Sequence, residues 1–182
     1  MISKILMVVV LLAVAGIGAY YILQDYGVVG NDSGMTSTAN GPVALVSTNY
    51  GDFKIQFYQD DAPNTVANFV KLADKKFYDG LTFHRIIKNF MIQGGDPTGT
   101  GTGGPGYKFA DELNPTTPSY QAGYKKGVVA MANSGPNTNG SQFFIMTADV
   151  ALPKQYTIFV KVIEWQSVVD SIGLTPTNSA DK

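Results

Sequence analysis

The spacing of hydrophobic and polar positions changes sharply along the chain. Residues Ile5 to Leu23, ILMVVVLLAVAGIGAYYIL, form 19 consecutive positions without a charge. At about 1.5 Å per residue this makes roughly 28 Å of helix, close to the hydrocarbon thickness of a bilayer. Lys4 stands before the run, and Tyr20 and Tyr21 lie near its far end, where an aromatic belt would sit. The pattern predicts a transmembrane signal-anchor over residues 5–23. It would leave residues 1–4 in the cytoplasm and the rest of the chain outside. The competing reading is a cleaved signal peptide, with Ala13-Val14-Ala15 as the small-residue cleavage pattern and an exported soluble product. Such a peptide needs only about 7–15 apolar residues, fewer than this run supplies. Residues 24–41, QDYGVVGNDSGMTSTANG, show no apolar period and read as a flexible linker.

From Pro42 to Lys182 the pattern is that of one folded domain. Val43–Thr48 and Asp52–Tyr58 read as strands joined by a turn at Asn49-Tyr50-Gly51. In the second, Phe53, Ile55 and Phe57 alternate with Lys54 and Gln56, the period of a half-buried strand. Pro63 opens a helix at a position where its missing N–H is harmless, and Val66, Phe69, Val70 and Ala73 keep the helical spacing to about Lys75. Short apolar runs follow at 82–87, 90–93, 127–131, 142–146 and 157–163, separated by Gly, Pro and Asn clusters. Val162, Trp165, Val168, Val169 and Ile172 suggest a second helix. This spacing predicts a mainly β fold, a small closed antiparallel barrel with helical caps, rather than alternating βα units.

Composition narrows the chemistry. Thirteen Lys and Arg against 14 Asp and Glu give a net charge of −1, without the basic surplus that nucleic-acid binding needs. There is no Cys, so thiolate nucleophiles, disulfides and thiolate-bound metals are excluded, and one His cannot build a multi-histidine metal site. That His, His84, is followed directly by the only Arg, Arg85.

The run GTGTGG at 99–104 satisfies a dinucleotide-loop template, but Pro105, Gly106 and Tyr107 follow it where a helix would have to begin. It reads as a glycine-rich loop. Ser134 and Ser141 sit in no nucleophile elbow, and no carboxylate is placed to orient His84. Asp60-Asp61 reads as a solvated turn and Lys125-Lys126 as a solvated face. Two segments stand out instead. FHRIIKNFMIQGGD, 83–96, sets one guanidinium near Phe90, Met91 and Gln93; MANSGPNTNGSQFF, 131–144, adds amides and further aromatics. Each aromatic alone reads as core. Together the segments offer apolar surface, amides and one fixed cation but no acid–base pair, a set suited to gripping an apolar ring and a peptide backbone.

These segments, in this order and with GTGTGGPGYKFADE between them, closely resemble the cyclophilin family of peptidyl-prolyl cis-trans isomerases. APNTVANFVKLADKKFYDGLTFHR and YTIFVKVIEW extend the similarity over nearly all of residues 42–177. The resemblance implies an eight-stranded antiparallel barrel capped by two helices, with no metal or organic cofactor. It also implies that proline-containing peptides, here unfolded exported proteins, are the partners. Carried over by motif, Arg85 matches the catalytic arginine and Gln93 the glutamine beside it. Phe90, Met91, Phe144 and Leu152 match the proline pocket, while Ala132, Asn133 and Gln142 match the backbone groove. Tyr156 stands where many relatives carry a pocket histidine. Ala151 replaces a tryptophan found in some relatives before the pocket leucine, which implies weak cyclosporin binding. The chain stops at Lys182, about where relatives run into a last strand that closes the barrel. His84 reads as a structural neighbour of the site. The alternative from another class is a membrane-tethered, non-catalytic proline-peptide-binding chaperone or scaffold, for which the pocket alone would suffice.

Overall fold

The computed structural model describes residues 7–12 and 41–178. Eight strands and three helices occur among them: β1 Met7–Leu12, β2 Val43–Thr48, β3 Gly51–Phe57, α1 Pro63–Asp74, β4 Arg85–Ile87, β5 Met91–Gly94, α2 Pro118–Ala122, β6 Val128–Met131, β7 Phe143–Met146, β8 Ile158–Glu164 and α3 Gln166–Gly173. The strands form one antiparallel sheet in the order β1-β2-β3-β8-β6-β7-β5-β4. It curls around a core to which β3 contributes Phe53, Ile55 and Phe57, β8 Phe159, Val160 and Val162, α1 Val66, Phe69 and Leu72, and α3 Val169 and Ile172. Phe69 of α1 is its hub, with the rings of Tyr78, Phe159, Phe143 and Phe57 between 4.7 and 5.7 Å from its own.

Several sequence expectations hold closely. α1 begins at Pro63, and the Glu112 carboxylate accepts the N–H groups of Asn64 and Thr65 at 3.0 and 2.8 Å, satisfying two donors that a helix start leaves unpaired. The β2–β3 turn falls at Asn49 and Tyr50, with Gly51 at φ +117°, a value only glycine adopts readily.

Others are corrected. The second helix does not include Val162, which lies in β8. Trp165 takes a left-handed φ of 59° that ends the strand, and α3 starts one residue later. The five-residue α2 was not foreseen. Asp61, expected as a solvated turn, accepts the Ser119 N–H of α2 at 2.9 Å. No ladder joins β4 to β1 among the described residues, so the expected closed barrel is an open, curled sheet here. β4 offers only three residues for pairing, and no described strand runs along its free side. The transmembrane helix expected over 5–23 is not shown; at the other edge, Met7–Leu12 is a strand. It pairs with β2 from Met7 opposite Thr48 to Leu12 opposite Val43. Three consecutive valines favour extended backbone, and the edge of β2 supplies the hydrogen-bonding partner. No helix among the described residues is long and apolar enough to cross a membrane. The remainder of that run and the linker up to residue 40 lie outside the described residues.

Candidate active site

The alternation of side chains along the central strands builds two faces. Ile86, Ile92, Val129, Met131, Phe143 and Ile145 turn into the core already described. Their sequence neighbours Met91, Val128, Ala130, Phe144 and Met146 form a second apolar cluster on the opposite face, with Ile87 packed on it. Register then lines up chemistry across that face. Arg85 pairs with Gln93, Gln93 with Phe144, and Phe144 with Ala130, one row over four strands. Ile87, Met91 and Met146 form the parallel row beside it. Strands lie about 4.8 Å apart, so cation, amide and aromatic ring stand in adjacent places.

Around Met91 and Phe144, both buried, the half-buried Phe90, Ala132, Leu152 and Tyr156 complete an apolar patch. Phe144 and Tyr156 meet edge to face, ring centroids 5.4 Å apart at 89°. Tyr124, which sequence reasoning missed, braces the pair: its hydroxyl donates to the Tyr156 carbonyl and accepts the Tyr156 N–H, each at 3.0 Å. Burial pushes the Tyr124 phenol above its ordinary pKa, so it stays protonated and able to donate. Arg85 itself is exposed, and none of the ion pairs among the described residues takes it.

Beside the patch lies a cleft of about 510 Å³, lined by Gln93, Gln142, Ala132, Asn133 and the loop from Gly101 to Lys108. Gln93 Nε2 donates to Gln142 Oε1 at 2.9 Å, and Gln142 Nε2 donates to the Gly103 carbonyl at 2.8 Å. Asn133 lines this cleft. Its side chain donates to the Gln155 carbonyl at 2.9 Å and accepts the Gly135 N–H at 3.2 Å.

The remaining candidates resolve plainly. Ser141 is buried and donates to the Gly95 carbonyl at 2.7 Å, a structural bond. The 99–104 loop is followed by no helix, as expected. His84 is buried, and a Cβ at Gly101 would come into contact with its ring. Lys125 and Lys126 pair on the surface with Asp149 and Asp170. Among the described residues no three His, Cys, Asp or Glu side chains gather as a metal site would require.

Residues 43–182 match the family model described as cyclophilin type peptidyl-prolyl cis-trans isomerase/CLD. The chain belongs to the cyclophilin family. It is similar to peptidyl-prolyl cis-trans isomerase A of Mycobacterium tuberculosis, 48% identical over 168 residues that cover 80% of this chain and 90% of that one. Peptidyl-prolyl cis-trans isomerase-like 1 of Rhizopus delemar is 49% identical over 142 residues, 76% of this chain and 84% of its own. A crystal structure of a Cryptosporidium parvum cyclophilin-type isomerase superposes with a TM-score of 0.70 at 38% identity, covering 77% of this chain and 88% of that one. A second, solved in the presence of the dipeptide Ala-Pro, matches with the same score. This cyclophilin is therefore an enzyme of the isomerase class, and the non-catalytic reading is not favoured.

Proposed function

We propose that the row Arg85–Gln93–Phe144, with the apolar patch beside it, carries the isomerase reaction on X–Pro peptide bonds. The observation that supports this most is the register. It sets the only guanidinium of the chain opposite an amide at the rim of an aromatic-lined apolar surface. Amide resonance holds the X–Pro bond planar behind a barrier of about 18–20 kcal/mol, so uncatalysed rotation takes tens to hundreds of seconds. No covalent bond has to break. In the twisted transition state the prolyl nitrogen turns pyramidal and regains its lone pair. A guanidinium aimed at that nitrogen bonds it there and far less in the planar ground state, which is differential stabilisation. Arginine suits the task because it stays charged and its fork is rigid. Met91, Phe144, Phe90, Leu152 and Tyr156 would grip the ring. Gln93, Gln142 and the main chain around Ala132 and Asn133 would hold the flanking peptide groups.

The test is isomerisation of a short X–Pro peptide, followed with and without the full chain. A catalytic increase in the rate of cis-to-trans conversion is expected. Stoichiometric peptide binding without acceleration would instead establish the scaffold reading.

We further propose that the enzyme works outside the cytoplasm on exported proteins, tethered by the charge-free run from Ile5 to Leu23. The run's length and the preceding Lys4 support this. In that tethered state Met7–Leu12 would belong to the bilayer and not to the sheet. Protease added to cells with a permeabilised outer envelope should digest the domain and leave a membrane-embedded stub. A domain protected until the cells are lysed would overturn the proposal, and a soluble product beginning near Gly16 would establish cleavage.

A further inference from the structure

Asp96 follows Gln93 by three residues and is only 1% exposed, yet the bonds of its carboxylate run to the glycine-rich loop. Oδ1 accepts the N–H of Thr98 at 2.7 Å and its hydroxyl at 2.8 Å. Oδ2 accepts the N–H groups of Gly101, Gly103 and Thr100 at 2.6, 3.1 and 3.2 Å. A Cβ at Gly103 would overlap Asp96 Oδ1, so the loop can wrap this closely only because that position is glycine. Gly103 is thereby held by both of its backbone polar groups: its N–H on Asp96, its carbonyl on Gln142.

That carbonyl decides the direction of every bond behind it. A backbone carbonyl can only accept, so Gln142 must present its NH2 to Gly103 and its oxygen to Gln93. Gln93 must then present its own NH2 to Gln142, as it does. What remains at the end of the line is Gln93 Oε1, an acceptor, on the residue that register sets opposite Arg85. With the amide reversed, Gln93 would have only NH2 hydrogens to offer the residue opposite it, whose guanidinium carries donors alone. We propose that Asp96 is a positioning residue of the isomerase: through Gly103 and Gln142 it fixes the polarity of the Gln93 amide, so that an acceptor steadies the Arg85 guanidinium. The proposal rests on the reading that the Arg85 row carries the reaction. The loop hydrogen bonds hold the Asp96 carboxyl at a pKa of about 2, so the carboxylate that gathers the loop persists at any working pH.

The experiment is a coupling measurement on the full chain. Asp96→Asn keeps the side chain's shape but sets an NH2 group against N–H donors. It is expected to lower kcat about tenfold while KM stays within about twofold, the pattern for an interaction made chiefly in the transition state. In a Gln142→Ala background, where the line is already cut, the same substitution should change kcat less than about twofold. Gly103→Ala keeps the carboxylate and displaces it; it is expected to reproduce the loss, and it carries the decision if Asp96→Asn fails to fold. A folded variant with wild-type kcat would overturn the proposal, as would a tenfold loss undiminished in the Gln142→Ala background. Activity in the wild type that disappears in Arg85→Ala separates this failure from failure of the parent reading, which an inactive wild type would sink.

Discussion

Arg85 and Asp96 show how two charges in one segment do opposite work. Arg85 is exposed on a three-residue strand, where its charge costs little to hold and is open to a bound peptide. Arg85→Ala should lower kcat/KM by about 10²–10³-fold, as loss of one preorganised donor does, with much less effect on peptide affinity. Turnover like that of the wild type in this variant would remove the guanidinium from the mechanism. Asp96 is buried and spends its charge on structure. Burial works to raise its pKa, and the donors of Thr98, Gly103 and Gly101 outweigh it, holding the carboxyl at about 2 against an ordinary 3.8. Between those values the unfolded chain takes up a proton that the folded chain refuses. The contribution, about 2 kcal/mol, is therefore complete above pH 4–5 and lost as the pH falls toward about 2. Urea midpoints of the wild type and Asp96→Asn should converge over that window. A gap that stays constant from pH 5 to pH 2 would show that folding does not lower the pKa of Asp96.

At the scale of elements, packing of helices against the sheet sets the stability and the strand alternation sets the site. Phe69 carries α1 into four aromatic neighbours and is 2% exposed. Phe69→Ala should cost about 3–5 kcal/mol, a fifth or more of the 5–15 kcal/mol typical of a domain. A melting temperature within a degree or two of the wild type would mean that the core refills the space. The period-2 pattern of Phe53, Ile55 and Phe57 and the Pro63 start were legible because each rests on local physics. So was the candidate site, since Arg85, Gln93 and Phe144 stand in short segments whose motifs single them out before the register that sets them in one row is known. What could not be read came from long range. Tyr124 reaches Tyr156 across 32 residues, and Asp61 pairs with an N–H 58 residues away. Asp96 did carry a local signal, an Asp after Gly-Gly with threonines and glycines following, the composition of side-chain-to-backbone turns. Its meaning depended on where Gln142 would land. Trp165 ended up at a left-handed turn because β8 uses the apolar residues that a helical period had claimed.

For the whole molecule, the proposed tether and the edge of the sheet meet at the N-terminus. Met7–Leu12 can serve as β1 or as part of a membrane-spanning helix, but not both, since a helix takes its backbone hydrogen bonds from within and a strand from a neighbour. The row proposed to carry the reaction lies on β4, β5, β7 and β6, at the end of the strand order away from β1 and β2. Deleting residues 1–41 should therefore leave kcat/KM within about twofold of the full chain, because no group that touches the peptide is removed. Stability and association should respond instead. Without β1 the outer N–H and C=O groups of β2 lose their partners and present a template for another chain. The truncated domain should sediment as a monomer at low concentration and associate as concentration rises. Leu45→Lys, which sets a charge on a half-buried position of β2, should keep it monomeric. A truncated domain that stays monomeric at every concentration and melts with the full chain would show that β2 needs no partner, leaving the apolar run free for the membrane.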